Sequence, residues 1–307
     1  MANFDITQIR GVIPAMVTCF DAQENVDIPR TRQITEFLVQ AGVGGLYLTG
    51  STGICYTMTA QERMEVVEAV LDQVAGRIPV IVHVGDIGTK KSIELAQHAE
   101  QAGADAISSV PPFYWNFNAK AIYNYYRDLS QSVSIPTVIY NVPLAGLLTR
   151  DQLLEIAKLP NVRGLKYTAR THDEMGALKR ELGASFMIYS GCDEMAFSGF
   201  AFGADGIIGS FYNAIPELYG KLYAAAMAGD IQEGIRLQSI GDEVIWSTLR
   251  QNGLSGLYDL MRCRGLDAGF PRRPFITNGP EAQEAILADL RQIREKLGGN
   301  ELDVFAL

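Results

Sequence analysis

A lysine inside a run of strand-forming residues needs a chemical reason to be there, because a strand interior favours Val, Ile or Leu. Lys166 lies in Asn161-Val162-Arg163-Gly164-Leu165-Lys166-Tyr167-Thr168, which reads as a buried strand with a polar tip. Of the eight lysines in the chain, it is the one in such a setting. Burial disfavours the ammonium and favours the free amine, a nucleophile. One strand earlier, Pro136-Thr137-Val138-Ile139-Tyr140-Asn141-Val142-Pro143 sets the Tyr140 phenol at the end of another apolar run. An amine to attack a carbonyl and a phenol to carry protons would make a Schiff-base site. Spacing alone leaves a plainer reading open, a lysine snorkelling at a strand end and an ordinary core tyrosine.

These residues must be positioned by the elements around them. Strand-like runs at 11–19, 44–50, 79–85, 105–111, 136–142, 162–168, 186–191 and 205–210 alternate with amphipathic stretches such as 59–75. Thr59 with Glu62 three residues on is a capping box that starts that helix. Three joints repeat one pattern: Gln40-Ala41-Gly42, Gln101-Ala102-Gly103 and Phe202-Gly203 each put glycine past a helix end, just before a strand. Eight such units fit a (β/α)8 TIM barrel over 1–230, with a doubly wound open sheet as runner-up. Residues 231–252, 254–264 and 281–297 read as helices, giving a helical C-terminal extension over 231–307. A barrel collects its chemistry at the C-terminal ends of its strands. The chain's unusual residues fall there: Gly50-Ser51-Thr52-Gly53, His83, Tyr114, Tyr140, Lys166, Thr168, Asp193-Glu194 and Ser210.

The chain has 307 residues, 48% of them apolar, enough for a large core. No apolar run approaches the roughly 18 residues of a membrane span, and the start has no signal-peptide pattern, so a cytoplasmic protein without membrane contact is expected. Four cysteines without regular spacing point to free thiols in a reducing compartment. A net charge of −9 argues against nucleic-acid binding, which needs a basic face. An anionic substrate would have to be attracted locally, against that field.

Gly50-Ser51-Thr52-Gly53 offers a tight turn, backbone N–H groups and two hydroxyls, suited to a carboxylate or phosphate; the plain alternative is a flexible loop. No Gly-Lys-Ser/Thr follows, so it is not a P-loop. His83, His98 and His172 are scattered without HxH or HExxH spacing, so no metal is expected, and His83 reads as a hydrogen-bonded barrel residue. Asp193-Glu194 could accept hydrogen bonds from a polyol, or could simply complement a helix start. Tyr123, Tyr125 and Tyr126 read as packing and surface residues.

Together, Gly50-Ser51-Thr52-Gly53, Tyr140-Asn141-Val142-Pro143 and Gly164-Leu165-Lys166-Tyr167-Thr168 resemble the dihydrodipicolinate synthase / N-acetylneuraminate lyase family of pyruvate-handling barrels. The resemblance runs from Arg10 to at least Pro216, and more loosely beyond. His83-Val84-Gly85, Pro112-Phe113-Tyr114-Trp115, Gly191-Cys192-Asp193-Glu194 and the run from Gly206 to Asn213 look most like the lyase branch. The resemblance implies that Lys166 forms a Schiff base with the keto carbon of pyruvate and that no separate cofactor is needed. It implies that Tyr140 shuttles protons, that Ser51 and Thr52 hold the pyruvate carboxylate, and that Ser51 helps the proton relay. Tyr114 would reach a neighbouring subunit's site, in a homotetramer. Thr168, Gly191, Asp193, Glu194 and Ser210 would contact the sugar chain.

Two departures bear on substrate. The synthase branch carries an arginine shortly after its YNVP, whereas here Leu144-Ala145-Gly146-Leu147-Leu148 brings no basic residue before Arg150. A second substrate carboxylate would lack its guanidinium, which disfavours the synthase reaction. Ile54 stands where an acidic residue usually follows Gly-Ser-Thr-Gly. The expected activity is cleavage of a small-molecule keto acid, N-acetylneuraminate first, to pyruvate and N-acetylmannosamine. The alternatives are a lyase or dehydratase for a shorter 2-keto-3-deoxy sugar acid, and a catalytically idle ligand-binding homologue.

Overall fold

Each expected strand forms, but most are trimmed at both ends. The computed structural model describes residues 3–306. Its strands are β1 Gly11–Pro14, β2 Leu46–Leu48, β3 Val80–His83, β4 Ala106–Ser109, β5 Thr137–Asn141, β6 Val162–Tyr167, β7 Met187–Ser190 and β8 Gly206–Gly209. Adjacent strands of a closed, tilted barrel overlap only over short segments, so flanking residues such as Met16 to Cys19 continue as buried loop. All pairings are parallel, in the order β1-β8-β7-β6-β5-β4-β3-β2. A parallel bridge between Ala15 and Tyr47, with Met16 N–H donating to the Tyr47 carbonyl at 2.9 Å, joins β1 to β2. That contact closes the ring and excludes the doubly wound open sheet.

Helices α1 Ile28–Gln40, α2 Ala60–Val74, α3 Thr89–Ala102, α4 Ala119–Gln131, α5 Arg150–Ala157, α6 His172–Leu182, α7 Ala196–Ala201 and α8 Pro216–Ala228 surround the strands. The capping box at α2 is formed, with Thr59 and Glu62 satisfying each other's backbone N–H groups. The repeated joints place Gly42, Gly103 and Gly203 at φ of +73, +98 and +90°, where a Cβ would be strained. Beyond the barrel come α9 Ile231–Leu249, α10 Leu254–Cys263 and α11 Pro280–Leu297.

Strand alternation sorts the apolar residues into two cores. Ile13, Tyr47, Ile81, Ala106, Val138, Tyr140, Met187, Tyr189 and Ile208 point into the barrel. Val12, Leu46, Val80, Ile107, Ile139, Leu165, Ile188 and Ile207 point out, into the helix layer. Lys166 shares the inward parity, in register with Tyr140 on β5 and Tyr189 on β7.

The lower rim is held by two matching carboxylates. Asp105, buried at the start of β4, accepts the Val80 N–H at 2.9 Å and the N–H groups of Asn3 and Phe4 at 2.7 and 3.0 Å. Asp205, at the start of β8, accepts the Ile188 N–H at 2.9 Å and pairs with Lys179 at 2.6 Å. Both arise from a Gly-Ala-Asp joint. Asp105→Ala leaves buried N–H groups without acceptors, so guanidinium unfolding should show a loss of roughly 1–3 kcal/mol. A loss under about 0.5 kcal/mol, the level of an ordinary surface change, would mean that water replaces the carboxylate.

Candidate active site

The amine of Lys166 lies on a floor of aromatic rings. Its Nζ is 4.1 Å from the centroid of Tyr140 and 4.3 Å from that of Tyr47. Tyr47, His83 and Tyr140 form a closed triangle, with ring centroids 5.9–6.2 Å apart. Among the described residues the amine has neither a hydrogen-bond acceptor nor a carboxylate partner, although Lys166 is only 4% exposed. A buried lysine is normally paired. This one is left to the ring faces, and is therefore free to attack.

The two tyrosines differ in what they can do. Tyr47 donates its hydroxyl to Ser108 Oγ at 3.0 Å, and burial, then the nearby Tyr140, push its phenol well above the usual range. It stays protonated and serves as a wall. The Tyr140 hydroxyl has no partner among the described residues and is the one available to a reacting atom. His83 is a barrel residue, as its sequence setting suggests. Its Nδ1 is 3.0 Å from the Thr49 carbonyl, and Nε2 is 3.4 Å from the Val110 N–H. Burial and the Arg63 guanidinium push its imidazole well below the usual range. The neutral ring then donates from Nδ1 and accepts at Nε2.

The Gly50-Ser51-Thr52-Gly53 loop is rigid rather than flexible. Thr49 and Ile54, on either side of it, both have a φ of +50°, which is costly for β-branched residues. Thr49 Oγ1 donates to the His83 carbonyl at 2.9 Å, and Thr18 Oγ1 donates to the Gly53 carbonyl at 2.7 Å. Thr52 Oγ1 and Ser210 Oγ are 2.7 Å apart, tying the loop to the end of β8. The backbone N–H groups of Ser51, Thr52 and Gly53 donate to nothing among the described backbone groups. The Ser51 hydroxyl likewise has no partner among the described residues. Such a row of free donors is an anion cradle. Ile54 is fully buried in this turn, where no charged side chain would be solvated.

Above the amine, Thr168 and Gly191 meet closely. A Cβ on Gly191 would lie 1.9 Å from Thr168 Oγ1 and 3.3 Å from Lys166 Cε, so only glycine leaves this space open. The Thr168 hydroxyl is buried without a partner. Asp193 and Glu194, paired in the sequence reading, do different things. Asp193 is buried and its Oδ2 accepts the Phe211 N–H at 2.8 Å, while Glu194 is half-buried and has no hydrogen bond among the described residues. Tyr114 lies apart from this group, 93% exposed at a φ of +78°.

Two contributors escape sequence reasoning. Tyr47 sits mid-strand in Leu46-Tyr47-Leu48, where its inward parity was the available signal. Asn213 spans the barrel mouth: its Nδ2 donates to the carbonyls of Ala15 and Ser210 at 2.7 and 2.8 Å, and its Oδ1 accepts the Val17 N–H at 3.2 Å. No local pattern announces that role.

Comparison with known proteins places this geometry among relatives. The model of the Dihydrodipicolinate synthetase family matches residues 8–293. An N-acetylneuraminate lyase of Rhizobium meliloti (strain 1021) is 33% identical over 286 residues, covering 93% of this chain and 94% of that one. Among solved structures, a catalytic-lysine mutant of the Ruminococcus gnavus sialic acid aldolase superposes with a TM-score of 0.90 at 34% identity, over 97% of this chain and 100% of that chain. A prophage protein of the dihydrodipicolinic acid synthase family from Escherichia coli K12, in complex with pyruvate, gives a TM-score of 0.88 at 26% identity, over 94% and 99%.

Burial pushes the Asp193 carboxyl up to about 7, from an ordinary value of 3.8. A carboxyl raised on folding stabilises the fold while protonated, so that stability is lost as pH rises through this window. Asp193→Asn keeps an acceptor for Phe211 N–H and cannot ionise. Its melting temperature should fall less than the wild-type value between about pH 4 and 7. Parallel curves for the two proteins would remove Asp193 from the titration.

Proposed function

The chain belongs to the Dihydrodipicolinate synthetase family as a pyruvate-dependent lyase, and we propose that it is a Schiff-base lyase of 2-keto-3-deoxy sugar acids, with N-acetylneuraminate as first substrate. The observation that carries this reading is the unpaired Lys166 amine on the Tyr47 and Tyr140 rings, in a barrel whose β2 loop also leaves the N–H groups of residues 51–53 free. A 2-keto acid presents a carbonyl beside a carboxylate, which matches a nucleophile beside an anion cradle. Several relatives are named N-acetylneuraminate lyase. The absence of a basic residue at 144–148 goes with this and against the synthase reaction.

In the proposed mechanism, Ser51 and Thr52 hold the substrate carboxylate. Lys166 Nζ adds to the C2 carbonyl, and loss of water gives an iminium. The iminium accepts the electron pair of the C3–C4 bond as Tyr140 takes the C4 hydroxyl proton, releasing an aldehyde sugar. The resulting enamine is protonated at C3, and hydrolysis frees pyruvate and restores the amine. No separate cofactor takes part. Thr168, Gly191, Glu194 and Ser210 line the path of the sugar chain, with Asp193 behind them. Because Asp193 is engaged by Phe211 N–H, a shorter sugar acid is the second reading. Pyruvate release across a panel of 2-keto sugar acids decides between them.

Borohydride with pyruvate should fix a stable adduct on Lys166, and Lys166→Ala should trap none; an adduct in that variant would overturn the assignment. Tyr140→Phe keeps the ring beneath the amine and removes the proton carrier. Its turnover should fall by roughly 10²–10⁴-fold with the fold intact, and near-normal turnover would move the proton work elsewhere.

The same reading includes a homotetramer. Tyr114, Trp115, Leu144 and Leu147 are 93, 70, 79 and 50% exposed, on the loops after β4 and β5. Such an apolar group on one chain favours a partner surface, and Tyr114 would reach a neighbour's site. A cytoplasmic setting also fits, since the cysteines are free thiols. Sedimentation at micromolar concentration should give a tetramer; a fully active monomer would refute the assembly.

A further inference from the structure

Helix α9 belongs to the C-terminal extension, yet one side of it reaches the loop after β7. Gly234, Gln238 and Asp242 recur every four residues and so share that side. Gly234 meets the Phe197 ring so closely that a Cβ there would lie 2.1 Å from Cε2. One turn further on, Gln238 uses both ends of its amide. Its Oε1 accepts the Phe197 N–H at 2.9 Å, and its Nε2 donates to the Asp193 carbonyl at 3.0 Å and to the Asp242 carboxylate at 2.7 Å. Tyr219 of α8 donates to the same Asp193 carbonyl at 3.3 Å.

These bonds fix the amide in one orientation. The Phe197 N–H requires an acceptor and the Asp193 carbonyl requires a donor, and a primary amide offers both, on separate atoms at the end of one stem. Between the two clamped groups runs the turn that carries Glu194. From the barrel side, the Asp193 side chain is already held by Phe211 N–H. The turn is thus bound by its backbone to α9 and by one side chain to the segment that follows β8, which leaves Glu194 as its unbonded carboxylate among the described residues.

We propose that Gln238 is a positioning residue for substrate specificity. By fixing the backbone on both sides of Glu194, it makes the C-terminal extension part of the apparatus that recognises the sugar chain. This rests on the sugar-acid reading above. The amine, Tyr140 and the 51–53 cradle lie on other elements, so recognition of pyruvate itself does not pass through Gln238.

The test compares wild type, Gln238→Leu, Glu194→Ala and the double variant, with N-acetylneuraminate cleavage and pyruvate trapping by borohydride as paired readouts. Gln238→Leu should lower kcat/KM for the sugar acid about tenfold or more, mainly through KM, and leave the trapping rate unchanged. The double variant should lose no more than Glu194→Ala alone, because both changes act on one contact. Gln238→Met keeps the length of the stem and removes the amide's hydrogen bonds without adding charge; it should show the same selective loss, and it serves if the leucine variant does not fold. Equal losses in cleavage and trapping, or additive losses in the double variant, would overturn the inference. Wild-type protein that traps pyruvate yet cleaves no sugar acid would overturn the substrate reading on which it rests.

Discussion

An amine enclosed without a counter-charge is the constraint around which this barrel is organised. Lys166 can stay unpaired only if its surroundings supply contact without supplying a carboxylate, and the Tyr47 and Tyr140 ring faces do that. A carboxylate here would pair with the amine and hold it away from a carbonyl. The acidic groups of the neighbourhood are kept at a distance or occupied: Asp193 is spent on a backbone N–H, and the position after the Gly-Ser-Thr-Gly loop holds a buried isoleucine. With a net charge of −9, attraction of an anionic substrate falls to the backbone donors of residues 51–53.

Those donors stay free because the loop is held in a conformation its residues do not prefer. Two β-branched residues with left-handed φ bracket it, and such strain persists only where the surroundings over-determine it. Here Thr18, His83, Ser210 and the turn bond from Cys55 N–H to the Gly50 carbonyl do so. The effect is preorganisation. The cradle is set before any carboxylate arrives, so binding does not have to order it.

The fold was legible in the sequence because its signals are local: apolar runs of strand length, a capping box at Thr59, and glycines that end helices before strands. The pairing at the centre of the candidate site was legible for the same reason, since a lysine and a tyrosine at strand ends are anomalies in place, and the two do meet. What stayed hidden depends on contacts across the chain. Tyr47 looks like any strand aromatic until the ring closes and brings it over Lys166. Asp193 and Glu194 read as an equivalent pair, and only the backbone just past β8, 18 residues on, separates them. Asn213 and Gln238 carry polar side chains with no distinctive neighbours, and their partners lie 198 and 45 residues away.

The alternation of the strands has one more consequence. Ile13, Ile81, Val138, Met187 and Ile208 fill the barrel below, and the reacting residues occupy the next inward positions above. The layer that fills the lower barrel and the layer that carries Tyr140 and Lys166 are therefore successive inward layers, two residues apart on β5 and β6. A substitution in the upper layer leaves the aliphatic layer below it in place, so part of the core is kept while the chemistry above varies. A barrel built this way is evolvable along its axis, with inheritance below and innovation above.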